Sequence, residues 1–434
     1  ALIMKTTARM LCLAALVTAL TLTSGCSSKD SKQPTSAVTD PPAAAQTTAA
    51  ATEEAKAEAT NEPEKQTEES KPLNDDTSVS TIEVDDNGWI ALACGNDYVM
   101  ALQKDGTLCG WGRNTYGQVG SATYKEPDVK AVQPVLEHIA SFATGEQHTA
   151  AIDENGVLYI WGSNHSGRLG DGTTAGRTAP YQNATLLALG KKVISAVPGM
   201  NCTLVLLEDG TLYGFGSNSK GQLGVEGSQF TLPVEVLTNV KAAFTNGEFS
   251  FAIKNDGTIW ATGSNKRGQL GTGDTESLAA WTQVKAPENV KTFALGEEFS
   301  LALTEDGTVW AAGSNKRGQL GLGVDDASVA AWTKVADGAE QIYAGVETAG
   351  MLKEDGTLWL WGGNKYGQVG DGTTENRSAP VQVLADVQSA DIGDAHAAAL
   401  KKDGSIWVWG YNKYFQLCDG SNADSLSPRQ VVTH

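Results

Sequence analysis

Apolar and polar residues alternate with a period of two along much of the chain, in short runs broken by Gly, Asn and Asp. One stretch shows the pattern well: Ile139 to Thr144, a turn at Gly145, His148 to Ile152, the group Glu154-Asn155-Gly156, then Val157 to Trp161 and a long loop rich in Gly and Asn. Such alternation predicts half-buried strands. Asn-Gly and Asp-Gly predict tight hairpins, because both central residues tolerate positive φ. An outlying strand such as Pro233 to Leu237 completes a unit of four short antiparallel strands, and no segment carries a sustained helical period.

The unit recurs. Gly-Ser-Asn-Lys-Arg-Gly-Gln-Leu-Gly stands at Gly263 to Gly271 and again, letter for letter, at Gly313 to Gly321. Looser copies begin at Gly112, Gly162, Gly216, Gly362 and Gly410, giving successive spacings of 50, 54, 47, 50, 49 and 48 residues. A steady period of this size means an array of one supersecondary unit. Each small sheet has an apolar face too large to leave wet, and radial stacking buries those faces while leaving few open edges. The fold expected is all-β, a seven-bladed β-propeller of four-stranded antiparallel blades over residues 88–434. Its first strand, Trp89 to Cys94, and its last, Pro428 to Val432, are expected to meet, so that pairing the chain ends closes the ring.

Composition adds location and limits on partners. Residues from Met4 give Lys5 and Arg9, an apolar run from Met10 to Leu22, then Thr23-Ser24-Gly25-Cys26. A charged start, a short apolar stretch and small residues mark a removable signal, here assigned to residues 1–25. Residues 26–87 are rich in Ala, Thr, Glu and Pro with almost no large apolar side chain, so they cannot bury enough area to offset ordering entropy and are expected to be a disordered tether. Its reach is on the order of 40 Å. The formal charge of −19, from 51 acidic and 32 basic residues, disfavours nucleic acid or an anionic membrane as a partner. Cys94, Cys109, Cys202 and Cys418 fall in different columns of the repeat, which favours isolated buried thiols over a disulfide framework.

Two resemblances follow from these residues. Leu22-Thr23-Ser24-Gly25-Cys26 resembles the lipobox of bacterial lipoproteins, which implies a lipid-modified Cys26 and an extracytoplasmic chain anchored to the cell membrane. The motifs Gly-x-x-His-x-x-Ala-Leu, Asp-Gly-Thr-Leu-Trp-x-Trp-Gly and Asn-x-x-Gly-Gln-Leu-Gly resemble the regulator of chromosome condensation repeat family, over all seven units. The resemblance implies a seven-bladed propeller. The family's founding member is a nuclear exchange factor that uses a hairpin inserted in one blade, and no such insertion is visible in these spacings. Another branch holds secreted propellers that inhibit β-lactamases through one face. The last unit departs from the pattern at Phe415-Gln416-Leu417-Cys418, where Gly would stand, and a distorted loop beside the closure is expected there.

Strand direction puts the Gly145-type turns and the Asn164-type loops on one face. That face gathers Glu146, Glu248, Glu297, Glu298, Glu347 and Asp394 near the axis, either as a metal or glycan-hydrolysing site or, more simply, as a solvated loop face. Candidate partner-binding residues are Lys266, Arg267, Lys316 and Arg317 with Trp281 and Trp332, and Tyr116, Tyr366 and Tyr414, since Arg and aromatic side chains anchor interfaces. The opposing expectation for the Trp residues is that they cap blade cores. His148 and His396 lack partners at ligand spacing and are expected to be structural. No nucleophile elbow, phosphate loop or zinc-helix motif is present, so neither catalytic residue, metal nor cofactor is assigned. The function expected is a monomeric, non-catalytic module that binds an unidentified protein or cell-wall partner, with an enzyme inhibitor or a glycan-active enzyme as alternatives.

Overall fold

The computed structural model describes residues 88–121, 127–325 and 327–431. The signal segment, Cys26 and the tether lie outside them. Among the described residues twenty-eight strands form seven four-stranded antiparallel sheets, each built from one stretch of chain. Blade 1 holds β1 to β4 (89–136), blade 2 β5 to β8 (139–182), blade 3 β9 to β12 (193–237) and blade 4 β13 to β16 (240–283). Blade 5 holds β17 to β20 (290–336), blade 6 β21 to β24 (339–384) and blade 7 β25 to β28 (387–430). The first strand of each blade neighbours the first strand of the next, and β25 neighbours β1, so the inner strands encircle an axis.

Within a blade the second strand is buried on both faces, as in Phe299–Thr304, because blades pack against each side of it. The outer strand is only partly buried and carries the exposed edge, where Pro233 and Pro380 are tolerated. In blade 3 that strand runs from Gln229 to Leu237, longer than the sequence suggested, because a register shift opposite Gly214 to Gly216 lets it bend with its partner. Neighbouring blades share cores: Phe251 of blade 4 stacks on Phe293 of blade 5 at 4.4 Å between ring centroids.

The loop phrase is explained by close approach. Gly268 has φ of 79°, and a Cβ there would lie 2.4 Å from the Ala330 Cα on the outer strand of the next blade. Inside the loop the Asn265 side chain ties the turn together, accepting from the Leu270 N–H and donating to the carbonyls of Asp274 and Glu276.

Two sequence expectations need correction. The chain ends do not pair: β28 (Ser425–Gln430) is the outer strand of blade 7 itself, bound to β27, and the ring closes by packing β1 against β25 and β26. The loop of blade 7 is not distorted, because Phe415 and Cys418 adopt φ of 62° and 52° in place of the missing glycines while Asn412 makes the same bonds as Asn265. That loop does sit beside the closure, with Lys130 of blade 1 stacked 5.0 Å from the Phe415 ring. The 54-residue interval carries a single helical turn α1 (Ala184–Leu187) capped by Asn183, with no added hairpin among the described residues. All four cysteines of the ring are buried free thiols.

Candidate functional site

The turn joining the first and second strands of each blade has two variable positions after its Gly or Asn. The first position is Asn96, Glu146, Met200, Gly247, Glu297, Val346 and Asp394 in blades 1 to 7, and the second is Asp97, Gln147, Asn201, Glu248, Glu298, Glu347 and Ala395. Backbone bonds link neighbouring turns into a rim: Asn96 N–H to the Glu146 carbonyl at 3.2 Å, Glu297 N–H to Val346 at 3.2 Å, and Asp394 N–H to Asn96 at 3.4 Å.

The two positions have different fates. Second-position carboxylates turn outward to the loops and meet arginines: Asp97 with Arg113 at 3.0 Å, Glu298 with Arg267 at 3.2 Å, Glu347 with Arg317 at 3.4 Å. The last two pairs bridge adjacent blades. First-position carboxylates converge on the axis and feel one another. Burial pushes Asp394 up to about 7, and the charges of Asp97, Glu146, Glu297 and Glu347 add to the rise. Burial likewise pushes Glu146 up to about 7, opposed by Arg168 and Arg113 and reinforced by Asp97 and Glu297. Asp97 is raised as well, its burial outweighing Arg113. Glu248 is half-buried in the same rim.

Arg267 and Arg317 are thus engaged with the rim, while Lys266 and Lys316 stand exposed. Trp281 and Trp332 are not brought to the surface beside them. Trp281 is 9% exposed and donates from Nε1 to the Leu223 carbonyl, and Trp332 is half-buried against Phe251 and Phe293. Both indoles lie beneath loop glycines, Gly224 and Gly271, where they fill blade junctions.

Tyr116, Tyr366 and Tyr414 do come together, across the closure. Tyr366 packs on Tyr411 at 4.8 Å, Tyr411 on Tyr414 at 6.2 Å, and the Arg113 guanidinium lies 4.6 Å from the Tyr414 ring and 5.6 Å from Tyr116. Tyr411, Arg113 and Asp97 escaped the sequence reading. A signal was present: the residue after the first loop Gly is Ser163, Ser217, Ser264, Ser314 or Gly363 in five blades, and only blades 1 and 7 place a large side chain there, Arg113 and Tyr411. The patch meets the acidic rim through Arg113, which pairs with Asp97 and packs on Tyr414.

His148 and His396 lie under the turns, fully buried. His148 Nε2 sits 2.8 Å from Thr203 Oγ1, and burial lowers both imidazoles, His396 to about 4, so both are neutral. Among the described residues no three His, Cys, Asp or Glu side chains are grouped to hold a metal, and no helix is long and apolar enough to cross a membrane.

Comparison with known proteins matches residues 60–339 to the model of the RCC1-like domain. Residues 355–400 and 387–416 each match a model of the regulator of chromosome condensation (RCC1) repeat. The probable E3 ubiquitin-protein ligase HERC6 of Homo sapiens is 30% identical over 141 residues, which is 31% of this chain, and the chain spans 14% of the length of that curated relative. Among solved structures, human WBSCR16 superposes with a TM-score of 0.66 at 21% identity, covering 74% of this chain and 94% of WBSCR16. Prp20p of Saccharomyces cerevisiae, described with its binding to Gsp1p and histones, gives 0.64 at 22% identity, covering 80% of this chain and 87% of Prp20p. Yeast RCC1 (Prp20) bound to Kap60 gives 0.65 at 21% identity, covering 85% of this chain and 91% of that one. At these identities the structural likeness is one of fold.

Proposed function

The chain belongs to the RCC1-like domain family, and from that membership and the geometry of its loop face we propose that it is a non-catalytic module that engages a protein through the patch over blades 6, 7 and 1. The observation that carries this reading is the unbroken run Tyr366, Tyr411, Tyr414, Arg113 and Tyr116. Tyr and Arg are the residue types that anchor interfaces, and held against one another they lose little entropy on binding. Lys266 and Lys316 on blades 4 and 5 flank the same face as a secondary contact. The partners named with the yeast relatives, Gsp1p, histones and Kap60, are proteins, which supports the class of partner and not its identity.

The test is site-specific photo-crosslinking in the cells that make the protein. A crosslinking amino acid at Tyr414 traps a discrete protein, whereas the same group at Asp256, on a hairpin of the opposite face, traps none. Equal capture from both positions would remove this face from the reading.

In this proposal Cys26 is lipid-modified and residues 27–87 tether the propeller outside the cytoplasm. The supporting observation is the order Lys5 and Arg9, apolar residues, small residues, Cys26. Incorporation of labelled palmitate that persists in Cys26→Ser would overturn the anchor.

A further inference from the structure

The link between blades 2 and 3 is built differently from the rest. Four of the six links between blades are two residues long, as from Leu136 to Ile139, whereas the chain takes ten residues from Gln182 to Val193. Within them α1 is pinned by Asn183, whose side chain accepts from the Leu186 N–H and donates to the carbonyls of Leu169 and Gly170. Leu186 is thereby sunk into the core at 1% exposure, while Leu187 and Leu189 are left 47% and 41% exposed. With Ile194 at 48%, three of the seven large apolar side chains exposed among the described residues fall within eight positions. Scattered exposed apolar residues are ordinary, but a group of them marks a surface that meets something.

Beside α1 lies a cavity of about 290 Å³, walled by Val157, Leu158, Leu186, Leu187 and Val193. Leu158, Leu186 and Val193 are buried and form its base. Gly190 lies on its wall and leaves it open, since a Cβ there would meet nothing within 4 Å. The cavity sits at the Asn155-Gly156 hairpin, on the face opposite the tyrosine patch. Small-molecule sites are concave, mostly apolar and about 300 to 1,000 Å³, with a few polar groups that fix orientation. This one stands at the low end of that range.

Its polar groups are Lys191 and Lys192, and they differ in what they are free to do. The Lys191 ammonium is already spent on Asp209, 2.5 Å away. Lys192 is held by its main chain, its N–H donating to Glu208 Oε1 at 3.0 Å and its carbonyl accepting from the Glu208 N–H at 2.9 Å. Its stem lies against the hairpin, because a Cβ at Gly156 would come within 2.6 Å of the Lys192 Cβ. Lys192 makes no ion pair among the described residues. The cavity thus combines an aliphatic lining with one uncommitted ammonium. A single ammonium without arginine suits a head of one negative charge, a carboxylate rather than a phosphate.

We propose that this cavity binds a small aliphatic carboxylate, its chain lying against Val157, Leu158, Leu186, Leu187 and Val193 and its carboxylate paired with Lys192. The site is separate from the loop face and does not depend on what that face engages. Its walls are in place before binding, since Asn183 fixes α1 and Glu208 fixes the Lys192 main chain. Each methylene that enters should tighten binding about fourfold. The exposed ion pair should contribute about fivefold.

The probe is octanoate, titrated into the full chain with labelled Leu and Val methyl groups and compared with hexanoate and with octan-1-ol as the uncharged match. Octanoate should shift the methyl signals of Val157, Leu158, Leu186, Leu187 and Val193 saturably, with hexanoate about tenfold weaker and octan-1-ol about fivefold weaker. Lys192→Gln should bring octanoate down to the level of octan-1-ol and leave octan-1-ol unchanged. Leu187→Asp should lose both ligands, and because both substituted side chains are exposed, each variant should unfold at the parent temperature. Shifts that are absent or spread over all seven blades would overturn the proposal. So would octan-1-ol binding as tightly as octanoate, or octanoate binding indifferent to Lys192→Gln.

Discussion

The indole N–H of Trp111 donates to the main-chain carbonyl of Gln416 at 2.9 Å, joining blade 1 to blade 7 across 305 positions of sequence. The same bond joins Trp161 to Gln118 at 3.0 Å, Trp361 to Gln319 at 2.9 Å and Trp409 to Gln368 at 2.9 Å. Closure is thus one more regular junction rather than a seam with its own chemistry. Trp111→Phe removes the donor and leaves a buried carbonyl unsatisfied, at a cost of about 1 to 3 kcal/mol. Trp361→Phe should cost the same within about 0.5 kcal/mol, with a single urea transition in each. A separate early transition confined to Trp111→Phe would show that closure is weaker than the internal junctions.

Gly268 meets two constraints at once, a φ of 79° and the Ala330 backbone 2.4 Å from where a Cβ would sit. Left-handed backbone costs about 1 to 2 kcal/mol for an L-residue and overpacking about 1 to 3. Gly268→Ala should therefore destabilise by roughly 3 kcal/mol. At Phe415 the chain has already accommodated a side chain at φ of 62°. Phe415→Ala keeps that strain, loses the Lys130 contact and should cost about 1 kcal/mol. Equilibrium unfolding of the two variants checks the contrast.

The Arg267–Glu298 and Arg317–Glu347 pairs are each about half exposed, so each contributes about 0 to 1 kcal/mol. Arg267→Ala with Arg317→Ala should leave stability within about 1 kcal/mol of the parent and change affinity for the protein trapped at Tyr414 less than about threefold. Tyr414→Ala removes a side chain packed on both Tyr411 and Arg113, and should weaken that affinity by about tenfold or more. Surface plasmon resonance with the identified partner distinguishes them.

How far the sequence could be read follows from which interactions are local. Period-two alternation and Asp-Gly hairpins are local, so blade number and strand content were legible. So was the split into two faces, since strand direction alone fixes it. The side of an outer strand on which Trp281 or Trp332 falls depends on a register shift at the paired Gly, in blade 4 between Ala261 and Gly263, and no local pattern announces it. The partnership of Arg113 with Asp97 and Tyr414 needs three segments from two blades that are the first and last in sequence.

Glu146 offers a stability test whose sign is fixed by its titration. Its carboxyl is raised from 4.5 to about 7, so the folded state binds a proton that the unfolded state has released over that window. The favourable contribution of the neutral form is complete below about pH 4 and is lost as pH rises through about 7. Above that, the native protein holds a buried charge with no ion pair. Glu146→Gln keeps the shape and removes the charge, and should stabilise the protein by about 2 kcal/mol at pH 8 and by almost nothing at pH 4.5. Repulsion from Asp97 and Glu297 supplies part of the shift, so the gain should shrink in a Glu297→Gln background. Urea unfolding of the single and double variants across pH 4.5, 6 and 8 measures both effects. If Glu146→Gln destabilised the protein at pH 8, Glu146 would be acting as the ionised partner of Arg168.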